Sequence, residues 1–95
     1  MDQFNINAKN TYGYILCDYD INIAKGLEIL REVIRLKPDN PSYLDSLGWA
    51  YYKSGDLQAS LKNLERALEI SKDRPEIKSH MDTVVNHKFK IKSLL

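Results

Sequence analysis

Apolar residues recur along this chain at helical spacing. Leu44, Leu47 and Tyr51 stand at i, i+3 and i+7, and Leu57, Leu61, Leu64 and Leu68 at i, i+4, i+7 and i+11. Leu27, Leu30 and Ile34, with Ile29, Val33 and Leu36, make a broader stripe. Such a period gathers the apolar side chains on one face of a helix. Val, Ile and Thr nowhere alternate with polar residues for long, so strands are not expected. The pattern predicts five helices, at about 7–18, 22–36, 41–54, 57–71 and 75–87, and then a tail, 88–95.

The punctuation between stripes agrees. Pro41 suits a first helical position, where its missing N–H would be unpaired anyway, and Asn40 can cap the helix it opens. Gly55 can take the left-handed conformation that closes a helix, and Asp56 can cap the next. Only these two residues separate two stripes, so the helices must fold back antiparallel. Pro38 ends the preceding helix and Pro75 starts the last.

The chain also echoes itself. Pro75 follows Pro41, Met81 follows Leu47 and Val85 follows Tyr51, each by 34 residues. In the first third, Gly26, Leu30, Val33 and Pro38 precede Ser60, Leu64, Ala67 and Lys72 by 34, whereas Gly13 and Leu16 precede Gly48 and Tyr51 by 35. One extra residue therefore belongs in the loop near Tyr19-Asp20-Ile21. A repeat of this size implies stacked supersecondary units, with function carried by a surface.

Residues 41–74 resemble the tetratricopeptide repeat, a 34-residue helix-turn-helix. With Pro41 as repeat position 1, the marker positions 7, 8, 11 and 27 hold Leu47, Gly48, Tyr51 and Ala67, which match. Positions 4, 20 and 24 hold Leu44, Ser60 and Leu64, where the family favours Trp, Ala and an aromatic, and position 32 holds Lys72 where it favours Pro. The segments 10–16 and 43–49 are similar to paired repeats of bacterial multi-repeat proteins. The third copy is incomplete: Asp82 replaces the close-packing Gly, and Lys88-Phe89-Lys90-Ile91-Lys92 replaces the Gly-Asp turn.

The resemblance implies an all-α fold, a right-handed superhelical stack of antiparallel helix hairpins (an α-solenoid) with about two and a half repeats. One domain, 1–95, would hold repeats at about 6–40, 41–74 and 75–95, the last partial. Gly13, Leu47, Gly48, Tyr51, Ser60, Leu64 and Ala67 would pack the repeats. Gly48 and Ser60 would lie where the helices of one repeat cross, and Ala67 where the next repeat packs.

In this family the first helix of each repeat lines a concave groove. Carried over, the groove positions fall on Asn7, Asn10, Tyr14, Cys17 and Asp18, then Ser42, Asp45, Trp49, Tyr52 and Lys53, then Glu76, Ser79, Thr83, Asn86 and His87. Asn10, Tyr14, Asp45, Trp49, Tyr52, Lys53 and Thr83 are the candidate contacts. Trp49 lies off the stripe of Leu44, Leu47 and Tyr51. It is therefore either an aromatic anchor in the groove or a packing residue between first helices. The cations that hold a peptide carboxylate in some members are missing from positions 5 and 9, and Asp45 would repel one. An aromatic and polar groove suits a neutral or apolar peptide or helix.

Composition narrows the remaining classes. Ninety-five residues make one small domain, and a net charge of +1 steers toward neither nucleic acid nor an acidic membrane. Residues 72–95 carry 6 Lys/Arg and 3 Asp/Glu, but the short alternation of Lys88, Lys90 and Lys92 offers three cations where firm phosphate binding takes roughly 6–10 contacts. It reads as a solvated tail. The single cysteine, Cys17, excludes an internal disulfide and has no neighbour in sequence to activate it. His80 and His87, seven apart, lack the i, i+4 spacing and companion ligands of a metal site and read as surface residues. No catalytic, cofactor or metal motif appears, and no apolar run approaches the ~18 residues of a membrane span.

The expected function is a protein-interaction scaffold, not an enzyme, that binds a peptide or helix of a partner. It would use no cofactor, nucleic acid or membrane, and its default compartment is the cytoplasm. Two alternatives stay open: a fragment or self-associating module of a longer repeat array, pairing through a C-terminal segment that exposes Ile91, Leu94 and Leu95, or a substrate-delivery module of an enzyme.

Overall fold

The computed structural model describes residues 3–94; Met1, Asp2 and Leu95 lie outside the described residues. The five helices are α1 (Gln3–Asp18), α2 (Ile23–Leu36), α3 (Pro41–Ser54), α4 (Leu57–Ile70) and α5 (Pro75–Leu94). α1 and α2 form one antiparallel hairpin and α3 and α4 a second, while α5 lies against α4 and touches α3. The result is an all-α stack of helix hairpins measuring 46 × 30 × 19 Å, with no strand among the described residues.

Side-chain caps set most of the boundaries. Asn22, Asn40 and Asp56 accept the amides of Lys25, Tyr43 and Ala59, each at about 3 Å, and so open α2, α3 and α4. Gly55, at φ 93°, closes α3 by sending its amide to the Tyr52 carbonyl and that of Asp56 to Tyr51. α1 closes in the same way without a glycine. Asp20, at φ 56°, donates to the Cys17 carbonyl, and Ile21 and Asn22 both donate to Leu16. Asp tolerates this conformation better than most residues. Asp20 precedes Gly55 by 35 residues and Asn22 precedes Asp56 by 34, so the residue without a counterpart is Ile21.

Two segments depart from the sequence pattern. α1 starts at Gln3 rather than near 7, because Ile6 is buried against Val33 and Tyr43 and gives that first turn an apolar anchor. The expected tail at 88–94 is instead the continuation of α5, a 20-residue helix. It contains no Gly or Pro to stop it, and Met81, Val85 and Phe89 keep an i, i+4, i+8 stripe beside Leu61. The lysines that alternate in sequence are ordinary solvated helix positions.

The core runs through the hairpins in three linked clusters. Ile6, Val33 and Tyr43 form one end, Cys17, Leu30, Leu47 and Ala50 the middle, and Leu44, Leu64, Ala67, Ile77 and Val84 the other end. Ile34 packs against all three. Small residues let the helices of each hairpin approach closely. A Cβ on Gly48 would lie 2.8 Å from Leu64 Cγ and 3.2 Å from the Ser60 carbonyl oxygen. In the first hairpin Gly13 and Gly26 face each other: a Cβ on Gly26 would lie 2.7 Å from the Gly13 carbonyl oxygen. Ser60 is fully buried, and its hydroxyl has no partner among the described residues. Tyr51 is half-buried; its hydroxyl accepts from Arg31 Nε at 3.1 Å, and the guanidinium lies over its ring.

Candidate functional site

The first helices of the hairpins, α1 and α3, stand side by side with α5, and their side chains meet on one face. At its centre is His80, from α5. Its Nδ1 lies 2.8 Å from Asp45 Oδ1 on α3, and its Nε2 lies 3.3 Å from the Tyr14 hydroxyl on α1. With the proton on Nδ1, the imidazole donates to the carboxylate and accepts from the phenol, satisfying both ring nitrogens. The Asp45 and His80 side chains are only 10% and 16% exposed. The Trp49 ring stacks on His80, with centroids 4.2 Å apart and planes 22° from parallel, and its Nε1 donates to Asp18 at 3.0 Å. One imidazole thus joins three helices.

The candidate residues fall into distinct surroundings. Asn10, Tyr14 and Asp45 line one hollow of about 260 Å³ together with Thr11, Ser42, Ser46, Arg74, Glu76, Ile77 and His80. Trp49 is half-buried beside it and tilts against Tyr52 at 5.0 Å. Tyr52 continues the ring row outward: its hydroxyl is 3.2 Å from His87 Nδ1, and the two rings meet edge to face. Lys53 is turned to Asp20 in the first interhelix turn, at 3.1 Å. Thr83 is exposed, and its hydroxyl donates to the Ser79 carbonyl within α5. Of the wider groove set, Asn7 accepts from the Tyr43 hydroxyl, and Cys17 is fully buried in the core.

The electrostatics follow from this packing. Burial, aided by the charges of Asp18 and Asp45, pushes the Tyr14 phenol up to about 12, so it remains a hydrogen-bond donor at neutral pH. Burial also raises the Cys17 thiol above its ordinary value against a smaller opposing effect of Lys53, leaving it a packing residue rather than a nucleophile. Among the described residues no group of three His, Cys, Asp or Glu could hold a metal ion.

Three residues of the site escape a reading of the sequence. His80 and His87 read as solvent-facing, yet His80 is the hub and His87 closes on Tyr52. No repeat offset marks them: each follows its partner, Asp45 or Tyr52, by 35 residues, whereas the repeat relates α3 to α5 by 34. Arg74 is the third. It sits just before Pro75, outside any helix, and brings a cation to the hollow, where Nη1 donates to Ser42 Oγ at 2.7 Å. In the hollow, Asn10 Oδ1 is buried and has no hydrogen-bond partner among the described residues.

Comparison with known proteins accords with this architecture. Residues 41–74, the α3–α4 hairpin with the turn that follows, match the family model for the tetratricopeptide repeat. The chain is 34% identical over 77 residues to TPR repeat-containing protein PA4667 of Pseudomonas aeruginosa, an alignment covering 81% of this chain and 13% of that relative. The chain therefore spans a small fraction of the length of the curated relative it matches. Paired antiparallel helices, glycines at their crossing points and the matched hairpin lead to one conclusion: the chain belongs to the tetratricopeptide repeat family.

Proposed function

We propose that the face shared by α1, α3 and α5 is a recognition groove for a peptide or helix of a partner protein. Tetratricopeptide repeats are in general protein-interaction modules. One observation carries the finer reading: Asn10, whose Oδ1 is a buried acceptor without a partner among the described residues, lines a hollow large enough for a side chain. Leaving such a group unpaired costs about 1–3 kcal/mol, which an N–H or O–H of an arriving segment would recover once the Asn10 amide turns toward the hollow. Arg74 offers a donor in the same wall, and Tyr14 a phenol held in its neutral form. Asp45 Oδ1 already accepts from His80, and the Arg74 guanidinium lies beside Glu76, so the groove favours a neutral, hydrogen-bonding segment. Trp49 and Tyr52 supply an aromatic floor, with Trp49 held by His80 and Asp18 and therefore preorganised. Lys53 lines a second hollow with Tyr52 and His87.

Peptides selected from a random display library against the 95-residue protein test this reading. Binding should weaken about tenfold or more with Asn10→Leu and with Arg74→Ala, while Lys62→Ala on the outer face of α4 leaves it unchanged. Selected peptides indifferent to both groove substitutions would reject it.

A second reading, a unit of a larger repeat assembly, is favoured by the length of the relative and by the open outer face of α1. α5 likewise exposes Phe89, Ile91 and Leu94, where self-association through the C-terminal segment would be sought. No helix among the described residues is long and apolar enough to cross a membrane.

A further inference from the structure

Asp45, Trp49 and Lys53 stand four residues apart on α3, about 6 Å per step along its axis. Asp45 lines the hollow of about 260 Å³, and Lys53 lines the second, of about 390 Å³. Trp49 lies between them, stacked on His80 and tilted against Tyr52. The two hollows are thus about 12 Å apart along α3.

Their contents are alike. Each is lined by a tyrosine beside a histidine: Tyr14 and His80 at 3.3 Å in the first, Tyr52 and His87 at 3.2 Å in the second. Each also has a cation beside a carboxylate, Arg74 with Glu76 at 3.5 Å and Lys53 with Asp20 at 3.1 Å. A charged side chain entering either hollow meets its own sign as well as the opposite one. A carboxamide is neutral and both donates and accepts, so it can address both members of the pair. Trp49, between the hollows, offers a ring face to an apolar side chain.

Spacing selects the conformation. In an extended strand, side chains of one face recur about every 6.7 Å, so residues i, i+2 and i+4 cover about 13 Å. That matches the steps from Asp45 to Trp49 to Lys53. A polyproline helix returns to the same face only after about 9 Å. An α-helix needs seven or eight residues to span the hollows, and it is about 10–12 Å across. Tyr14 of α1 and His80 of α5 already meet across the groove floor, so such a cylinder would ride above the hollows. Resting on the groove reading given above, we infer that the groove takes an extended segment with Asn or Gln at i and i+4 and an apolar residue at i+2. The two carboxamides enter the hollows and the apolar side chain lies on Trp49. The pattern reads alike in both chain directions.

The probe is the capped peptide Gly-Gln-Thr-Leu-Thr-Gln-Gly, titrated into the ¹⁵N-labelled 95-residue protein and followed by chemical shift. Moving its second Gln back by one residue turns that side chain to the opposite face and should weaken binding about tenfold or more. Replacing that Gln by Glu should weaken it as well. Lys53→Ala should weaken the parent peptide about tenfold, yet change binding of a peptide with Leu in place of one Gln by less than about twofold. No binding of the parent peptide, equal affinity for the shifted one, tighter binding of the Glu peptide, or a Lys53→Ala effect independent of the second Gln would overturn the inference. So would display-selected peptides whose anchors recur seven or eight residues apart. Selected peptides that still lose affinity with Asn10→Leu and Arg74→Ala would then leave the groove standing, so the two proposals fail separately.

Discussion

Replacing His80 with Phe keeps a ring against Trp49 but removes both hydrogen-bonding nitrogens. The Asp45 carboxylate, on a residue only 7% exposed, then loses its 2.8 Å partner. A hydrogen bond to a charged group contributes about 1.5–3 kcal/mol net, and the 3.3 Å contact with Tyr14 adds little. Retained ring packing offsets part of the loss, so His80→Phe should destabilise the fold by about 2 kcal/mol. For a domain this small, with a total of about 5–14 kcal/mol, that is a large share. Urea unfolding followed by the fluorescence of Trp49, the sole tryptophan, reports directly on the stack. With a slope of roughly 1–2 kcal/mol/M the midpoint should fall by about 1–2 M. Asp45→Asn in the His80→Phe background should return about 1 kcal/mol by removing the stranded charge. A loss below about 0.5 kcal/mol, or a double-mutant coupling near zero, would refute the hub assigned to His80.

Three further outcomes are expected. Gly26→Ala should cost about 1–2 kcal/mol by thermal unfolding, because overpacking at the Gly13 carbonyl outweighs the helix-propensity gain of about 1 kcal/mol; an unchanged midpoint would mean the hairpin yields freely. Tyr14 carries a phenol raised from 10.0 to about 12, so the stability it contributes is fully present below pH 10 and lost as pH rises through about 12. Tyr14→Phe should flatten that alkaline decline, and an identical decline in both proteins would assign it elsewhere. Cys17 should react with a thiol reagent only as fast as the protein unfolds, whereas rapid labelling of the native protein would contradict its burial.

The ends of the helices were largely legible because they are written locally. Asn40-Pro41 and Gly55-Asp56 each place a cap, a prefixed φ or a left-handed residue within two positions, and the structure uses them so. Asp20 was less legible, since Asp takes the left-handed conformation only in context and the 35-residue offset alone located the insertion without choosing its residue. The tail at 88–94 was misleading because alternating Lys and apolar residues mimic an extended segment, while the stripe of Met81, Val85 and Phe89 that holds it helical starts well before it. The site depends most on distance. His80 meets Asp45 and Tyr14 from 35 and 66 residues away, and Arg74 reaches Ser42 from 32. No local pattern encodes such meetings, and the 34-residue offset that relates α3 to α5 does not mark them either.

The account rests on the inner face as the surface that recognises a partner. Chemical-shift mapping of the ¹⁵N-labelled protein with a display-selected peptide examines this most directly. The account predicts that the largest shifts fall on Asn10, Thr11, Tyr14, Arg74, His80 and the Trp49 indole N–H, with α2 and α4 little changed. A peptide that binds and shifts only the outer, charged face around Lys62, Glu65 and Glu69 would contradict it.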